Sequence, residues 1–227
     1  MIKPRHEIKV FINYSDYLSI KNRLKNFAKL DKNASANGTY HIRSLYFDNY
    51  NDRALMEKIN GYNRREKFRI RFYNNNHSFI KLEKKSKANG LCYKSSALLT
   101  KEDCEKILNG DIEFLKESNK DVLKEFYCKL RYQCLKPKTI VDYTREAYIF
   151  APGNVRITID SNLKSGLYST NIFDANLPTL GLVNENPIIL EIKYDNFLPD
   201  IIRDLIQTNI RNRTAVSKYA ACRLIKV

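Results

Sequence analysis

Residues 66–72, Glu-Lys-Phe-Arg-Ile-Arg-Phe, decide how the rest of the chain is interpreted. In an extended strand, successive side chains point to opposite faces of the sheet. Arg69 and Arg71 therefore share one face, and the three apolar residues of the stretch share the other. A strand of this kind fits a sheet with a solvated charged face, or a sheet whose charged face meets an anion.

The composition is that of a folded protein with a large excess of positive charge. Of the 227 residues, 43% are hydrophobic and 29% are charged, which is typical of a globular chain rather than a disordered one. The 40 lysines and arginines outnumber the 25 aspartates and glutamates, which gives a formal net charge of +15. This excess indicates a polyanionic partner, such as nucleic acid, phosphorylated metabolites, polyphosphate or an anionic membrane surface. The alternative is a basic surface without a partner.

The cysteines and the chain start predict a cytoplasmic location. The five cysteines have no CxxC spacing, and with three histidines they suggest neither a zinc site nor a complete disulfide framework. The N-terminal residues lack the apolar core of a signal peptide. No apolar run approaches the roughly 18 residues of a membrane helix. We therefore expect reduced thiols and no transmembrane segment.

Sequence periodicity predicts an α+β chain. Period-two patterns predict strands over residues 5–12, 40–47, 66–72, 78–85, about 93–95, 139–150, 155–160 and 188–194. Helical patterns and caps predict helices over about 16–29, 101–109, 120–135, 199–208 and 215–225. Ser15, Thr100 and Pro199 act as start signals, and Pro137 stops the third helix. Without a repeat or linker, we predict a single domain over residues 1–227.

The charged face of the opening stretch recurs on most predicted strands. Strand by strand, the residues that share the charged face are Arg5/Glu7/Lys9, Arg69/Arg71, Lys81/Glu83/Lys85, Arg145, Arg156/Thr158/Asp160 and Glu191/Lys193. An ordinary barrel has an apolar interior, and an antiparallel sheet with one solvated face would also show such rows. Rows of cations placed side by side repel each other unless an anion lies between them. We therefore favour a closed sheet with charges inward and helices covering the apolar outside.

Such a channel suits phosphate chemistry. Arginine gives forked contacts to phosphate and lysine gives point charges. Phosphoryl transfer needs mainly alignment and charge neutralisation, often with a divalent metal. Glu191 is a candidate ligand for a hard cation, the alternative being an ion pair with Lys193 or a neighbouring arginine. Phe68, Phe72 and Tyr73 would be able to stack on nucleotides, but the position of Phe68 and Phe72 on the apolar face favours core packing.

Common catalytic and nucleotide-binding motifs are absent from the sequence. There is no GxxxxGK[ST] loop, no GxGxxG, no HExxH and no recognisable Ser/His/Asp set. These absences leave the charged strand faces as the favoured place for phosphate binding.

Eight short motifs occur in order along nearly the whole chain. They are Arg5-x-Glu-x-Lys9, Ser44-Leu-Tyr-Phe-Asp-Asn49, Lys67-Phe-Arg-Ile-Arg-Phe-Tyr73, Leu82-Glu-Lys-Lys85, Tyr143-x-Arg145, Val155-Arg-Ile-Thr-Ile-Asp160, Leu190-Glu-Ile-Lys193 and Ser217-Lys-Tyr219. The ordered set resembles the VTC domain, the polyphosphate polymerase domain of the vacuolar transporter chaperone complex and its bacterial relatives.

The resemblance implies the triphosphate tunnel (CYTH-like) fold, an antiparallel β tunnel of about eight strands with a charged lumen and helices packed outside. It implies transfer of the ATP γ-phosphate to a growing inorganic polyphosphate chain, with Mn²⁺ or Mg²⁺. ATP, pyrophosphate and inorganic polyphosphate would be its ligands, without a specific nucleic acid, and its protein partners stay undefined. The alternatives are a tunnel triphosphatase or related nucleotide enzyme, and a non-catalytic polyanion-binding module.

The resemblance also implies roles for twelve residues. The catalytic residues would be Lys9, Arg69, Arg71, Arg145 and Arg156. The substrate-binding residues would be Lys85, Lys94, Tyr143, Lys193, Ser217 and Lys218, and Glu191 would be the metal ligand. Strand alternation favours Lys85 over Lys84.

The chain departs from its relatives at several positions. Hydrolytic tunnel enzymes carry an ExExK motif, and Arg5 occupies its first position here, which argues against a simple triphosphatase. The fungal family's second tail lysine corresponds to Ala215, with Arg211 or Arg213 as substitutes. The fungal accessory sensor domain and membrane helices are not recognisable, so product translocation by this chain is not implied.

Overall fold

The computed structural model describes residues 5–32, 34–35, 37–182, 187–207 and 217–225. Its strands are β1 His6–Ile12, β2 Lys29–Leu30, β3 Thr39–Asp48, β4 Arg65–Tyr73, β5 Asn76–Ala88, β6 Leu91–Leu99, β7 Lys136–Phe150, β8 Val155–Ser165, β9 Leu180–Gly181 and β10 Ile188–Tyr194. Its helices are α1 Tyr14–Leu24, α2 Arg53–Ile59, α3 Lys101–Leu108, α4 Asp121–Tyr132, α5 Asp200–Leu205 and α6 Lys218–Arg223. Short 3-10 turns occur at Glu113–Leu115 and Pro152–Asn154.

The described strands form one antiparallel sheet. Its order is β1-β10-β8-β7-β3-β4-β5-β6, with β2 added to β7 and β9 added to β8. The sheet curls so far that its two edges approach each other. An isolated β-bridge between Arg5 and Cys92 shows this contact. Near this bridge, the Lys85 Nζ lies 2.8 Å from Glu7 Oε2. The predicted antiparallel architecture is confirmed, and its concave face surrounds a central cavity.

Strand alternation separates the two faces of the sheet. In β4, Phe68, Ile70 and Phe72 are at most 1% exposed and point outward. Helix α4 covers this face, since the ring of Phe126 stacks on Phe68 at 5.2 Å and meets Phe47 edge-on at 5.0 Å. The apolar stripe of α4 and the outward face of β4 therefore form one core, with α3 packed beside them.

A second outer core lies under α1 and α5. It joins Ile20 and Leu24 of α1 and Ile202 of α5 to the outward residues of β8 and β10. The helices on the convex side thus bury the apolar face of the sheet in two separate clusters. This burial fixes the opposite, charged face toward the cavity.

Helix α6 lies at one end of the cavity rather than on the convex face. The Tyr219 ring stacks on Tyr46 at 5.1 Å, and its hydroxyl donates to Asp48 Oδ2 at 2.7 Å. Asp48 also accepts from the backbone N–H groups of Ala54 and Leu55, at the start of α2. One buried carboxylate therefore holds α2 and α6 together, and we call this the helical end of the cavity.

Several local predictions are corrected by the structure. Helix α1 begins after Asn13, not Ser15, because the Asn13 Oδ1 accepts from the Asp16 N–H at 2.7 Å. Pro137 lies inside β7, near its start, where a strand tolerates a residue without an N–H. Pro199 precedes α5 instead of beginning it.

Other element boundaries also differ from the predictions. The predicted helix over 16–29 ends at Leu24, so Phe27 lies beyond it and is half exposed. Strand β8 continues to Ser165, beyond the predicted strand over 155–160, and the short strand β9 follows at Leu180–Gly181. Residues 215–216 of the last predicted helix lie outside the described residues. The longest described helix, α4, has 12 residues, and no described helix has the length and apolar character to cross a membrane.

We expect Phe126→Ala to lower the free energy of unfolding by about 3–5 kcal/mol, because it empties the space between α4 and two strands. Urea denaturation monitored by circular dichroism measures the change. Tyr132→Ala is the control, since Tyr132 lies on the same helix and is 75% exposed. Its effect should stay within about 0.5 kcal/mol. Equal effects of the two substitutions would contradict the described packing of α4.

Candidate active site

The concave face of the sheet encloses a cavity of about 770 Å³. Cavities of roughly 300–1,000 Å³ are typical of small-molecule sites. Among the described residues, its lining contains twelve lysines and arginines and three glutamates. All twelve site residues named from the sequence line it: Lys9, Arg69, Arg71, Lys85, Lys94, Tyr143, Arg145, Arg156, Glu191, Lys193, Ser217 and Lys218. The structure brings these residues together, and their roles as ligands stay predictions.

Arg69 and Arg71 are held in place by Glu83. Arg69 donates from Nε and Nη2 to Glu83 Oε2 at 2.9 and 2.6 Å, and the Arg71 Nη1 lies 3.6 Å from the same oxygen. Lys94 also pairs with Glu83. Burial raises the pKa of Glu83, but Arg69, Arg71 and Lys94 outweigh this and hold the pKa well below its usual range. Three cations thus share one carboxylate, which leaves positive charge for an anion.

The second hydrogen bonds of the same arginines fix their orientation. Arg71 donates from Nε to Ser44 Oγ at 2.9 Å and from Nη2 to the Tyr143 hydroxyl at 2.8 Å. Arg69 donates from Nη1 to the Tyr46 hydroxyl at 2.7 Å. Both guanidinium groups are therefore immobilised before any ligand arrives, which lowers the entropic cost of forked contacts to phosphate.

Asp160 holds a second group of cations. Arg145 donates from Nε and Nη2 to the two Asp160 oxygens at 2.6 and 2.7 Å. The Lys218 Nζ lies 2.6 Å from Asp160 Oδ2 and 4.9 Å from the centre of the Tyr143 ring. Burial raises the pKa of Asp160, but Arg145 and Lys218 lower it below its usual value. The first residue of α6 is thereby tied to the cavity wall.

The carboxylates of Glu7 and Glu191 occupy a cluster of lysines. Lys9 lies 2.8 Å from Glu7 and 3.4 Å from Glu191, and Lys193 lies 2.5 Å from Glu191. Burial and the Glu191 carboxylate raise the pKa of Glu7, but Lys9 and Lys85 lower it to about 2. Burial raises the pKa of Glu191, yet Lys9 and Lys193 hold it well below its usual range. Both carboxylates are therefore ionised at neutral pH.

Glu191 makes the ion pair with Lys193 that the sequence left open as an alternative to metal binding. Within the described ranges, no group of three or more histidines, cysteines, aspartates or glutamates is placed to bind a metal. Mg²⁺ is usually bound by only one or two carboxylates together with substrate phosphates. The adjacent carboxylates of Glu7 and Glu191 fit that donor set. The structure is therefore compatible with Glu191 as a metal ligand, and this assignment stays a prediction.

Lys67 and Tyr46 form a pair that the sequence-based site left out. The Lys67 Nζ lies 5.3 Å from the centre of the Tyr46 ring and donates to the Ser217 Oγ at 3.4 Å. Burial lowers the pKa of Lys67 to about 7, and Lys85, Arg69 and other cations add repulsion against the attraction of Tyr46. Burial raises the pKa of Tyr46, but Arg69, Lys67 and Arg71 lower it to about 7. The pair therefore changes its protonation near neutral pH.

The residues that sequence reasoning missed differ in how visible they were. Lys67 has the same strand parity as Arg69 and Arg71, so alternation was enough to find it, whereas Lys81 was placed in a charged row and only given no site role. Tyr46 lies in a strand whose inward face is mostly uncharged, and no charge pattern marked it.

The choice of Lys85 over Lys84 agrees with the side-chain directions. Lys85 lines the cavity. Lys84 points to the convex side, where it lies 3.0 Å from Glu66 and also pairs with Glu125.

Arg156 donates to the Tyr40 hydroxyl at 3.0 Å and lies 2.6 Å from Asp31. Arg211, Arg213 and Ala215 lie outside the described residues.

A second chamber of about 360 Å³ adjoins the cavity at its helical end. The two spaces share six lining residues: Glu7, Lys9, Lys67, Lys85, Cys92 and Ser217. The second chamber adds Lys58, Arg65 and Lys87. Burial lowers the pKa of Lys58, and repulsion from Arg65 and Lys87 lowers it further. A path lined by cations therefore extends beyond the main cavity, as a linear polyanion would require.

The VTC domain model matches residues 4–225. The chain belongs to the VTC domain family. This match confirms the resemblance seen in the ordered motifs, and it covers nearly the whole sequence. A search of curated proteins gave no match.

Two solved structures are similar to this VTC domain in outline. One is a candidate adenylate cyclase from Bacillus halodurans, with a TM-score of 0.49 and 12% identity, covering 84% of this chain and 80% of the other. The second is a conserved hypothetical protein from Pyrococcus furiosus, with a TM-score of 0.44 and 15% identity, covering 89% and 85%.

We expect the affinity of the VTC domain for inorganic triphosphate to fall between about pH 6 and pH 8, by up to roughly tenfold per pH unit for one linked proton. Above about pH 7, the coupled Lys67–Tyr46 pair loses a proton and with it one unit of positive charge, which weakens anion binding. Isothermal titration calorimetry across this range measures the slope.

A double variant, Lys67→Met with Tyr46→Phe, should flatten this pH dependence. The difference from the wild type removes the contribution of triphosphate ionisation, which is common to both proteins. Lys84→Met serves as the control, because Lys84 points away from the cavity. Parallel slopes for the wild type and the double variant would show that the pair does not titrate near neutral pH.

Proposed function

We propose that this protein is a polyphosphate polymerase that transfers the ATP γ-phosphate to an inorganic polyphosphate chain. The observation that carries the proposal is the cavity lined by twelve cations and three glutamates among the described residues. The adjoining basic chamber extends this path. A site with surplus buried cations, preset guanidinium groups and room beyond the first phosphates favours an extended phosphate chain over a single phosphate.

The proposed reaction requires little covalent help from the protein. The bond from the γ-phosphorus to the β–γ bridging oxygen breaks, and a bond forms to an oxygen of the acceptor phosphate. The bonding electrons leave with ADP, and the acceptor oxygen is already ionised, so no protein base is required. Arg69, Arg71, Arg145 and the lysines around them would align the two phosphates and neutralise the charge that prevents their approach.

A divalent cation belongs to the proposal as well. Glu191, with Glu7 beside it, would hold Mn²⁺ or Mg²⁺ against the phosphates, since both carboxylates are ionised and face the cavity. When bound, the metal would neutralise charge on the transferred phosphoryl group. Without it, Lys9 and Lys193 keep the Glu191 carboxylate paired. Metal binding would therefore exchange carboxylate–lysine pairs for carboxylate–metal contacts and release the lysines to the substrate.

Two other functions are compatible with membership of the family. A tunnel triphosphatase or related nucleotide enzyme would use the same cations but transfer the phosphoryl group to water. A non-catalytic module would only bind polyphosphate or nucleic acid. The presence of Arg5, which donates to Asp195 at 2.8 Å, in place of a metal-binding glutamate disfavours the triphosphatase. Cytoplasmic location likewise stays a prediction.

We expect the purified protein to release ADP and form polyphosphate when given ATP, Mn²⁺ and pyrophosphate primer. Glu191→Gln should lower the metal-dependent rate by roughly 100-fold, because it removes a charged ligand of the metal that neutralises the transferred phosphoryl group. Coupled ADP detection and polyphosphate gel electrophoresis give the two readouts. Phosphate release without chain growth would identify a triphosphatase. Absence of both products, with unchanged or tighter polyphosphate binding by Glu191→Gln, would identify a binding module.

Adjacent lysines on β5 provide a matched comparison. Lys85→Ala should lower the rate by roughly tenfold or more, because it removes a charged contact inside the cavity. Lys84→Ala should leave the rate within about twofold, since Lys84 pairs with carboxylates on the convex side and surface pairs of this kind contribute little. Thermal unfolding checks that both variants fold. Equal losses of rate would contradict the assignment of the inward face.

A further inference from the structure

An exposed apolar patch lies on the concave face near the β4–β5 hairpin. Phe79 lines the cavity and is 43% exposed. Leu98 is 62% exposed and lies directly opposite Lys81 in the β5–β6 register, so its side chain shares the face of Lys81. Further along, the inward positions of these two strands are charged or polar: Lys81, Glu83, Lys85, Lys94 and Ser96. The Phe79 ring belongs to none of the described core clusters, and it contacts the Lys81 ammonium.

The patch is aligned with the cations that would hold the phosphates. Phe79, Lys81 and Glu83 follow each other on the inward face of β5. With a rise of about 3.4 Å per residue, Phe79 lies about 14 Å along the strand from Glu83, and Glu83 holds Arg69. The Lys81 Nζ lies 4.4 Å from the centre of the Phe79 ring. A ring, a single cation and a forked arginine thus occur in one line.

This order matches an extended nucleoside triphosphate, with a flat base at one end and charge increasing toward the γ-phosphate. A half-exposed ring with a lysine ammonium over one face offers a stacking surface and a phosphate contact at the same place. Strand β5 then continues through Lys85 to Lys87, which lines the second chamber. We call the end of the cavity near the β4–β5 hairpin the hairpin end. It carries exposed apolar side chains, whereas the helical end continues into a chamber lined by cations.

We propose that Phe79, flanked by Leu98, is the seat of the nucleobase of the phosphoryl donor. The inference rests on the proposed function, because it assigns a direction to the same cavity. The base stacks on Phe79, Lys81 contacts the phosphates nearest the ribose, and the γ-phosphate lies toward Arg69 and Arg71. Stacking accepts any base, so ATP and GTP are held alike. The donor enters at the hairpin end, and the acceptor chain occupies the second chamber.

The test compares ATP with inorganic triphosphate, which has the phosphates but no base. Calorimetric titration without added divalent cation measures the Kd of each for the wild type and for Phe79→Ala. We expect the Kd for ATP to rise about fivefold or more, as for loss of one base–aromatic stack, while the Kd for triphosphate stays within about twofold. GTP should lose affinity as ATP does. Phe79→Trp should restore ATP binding.

Phe27→Ala is the matched control, because Phe27 is also a half-exposed phenylalanine and does not line the cavity. It should change neither Kd. Unchanged ATP affinity in Phe79→Ala, or an equal loss for ATP and triphosphate, would overturn the inference. Binding is measured without turnover, so a failure to form polyphosphate would contradict the proposed function alone and leave the base seat to be decided by the two Kd values.

Discussion

The balance between buried cations and a few carboxylates is the constraint on which this cavity depends. Glu83 holds Arg69, Arg71 and Lys94, while Asp160 holds Arg145 and Lys218. Each carboxylate lowers the repulsion within its group without cancelling the positive charge. The protein therefore folds around an unfinished ion-pair network, and an anion with several negative charges completes it.

The outer cores make that arrangement possible. Burial of apolar side chains under α3 and α4 on one side, and under α1 and α5 on the other, supplies the free energy that holds the cations together. Burial first, and then repulsion from neighbouring cations, lowers the pKa of Lys67 and of Lys58, so these lysines record the cost of holding the cations together. Helix α6 then adds Lys218 to the cavity and Tyr219 to the second chamber, so this helix contributes directly to the site.

Much of the fold was predictable because strand alternation is a local property. Lys9, Arg69, Lys85, Arg145 and Glu191 were all placed on inward faces from the sequence, and each lines the cavity. Helix boundaries were predicted less well. The start of α1 depends on one hydrogen bond to Asn13, and the helix ends before Phe27, which is half exposed. Lys67 was given no role although its parity was plain, whereas Tyr46 lay in one of the ordered motifs but no charge pattern marked it.

The sequence by itself determined which side chains share a face, the excess of cations, and membership of the VTC domain family. Only the tertiary structure decided which carboxylate meets which cation, because such pairs depend on strand order and register between distant segments. A bulge at Asn162, where φ is 52°, changes the parity of β8 and lets Ser165 meet the backbone of Cys222 in α6. Alternation assigns a face to each residue, but the curling of the whole sheet brings the faces together.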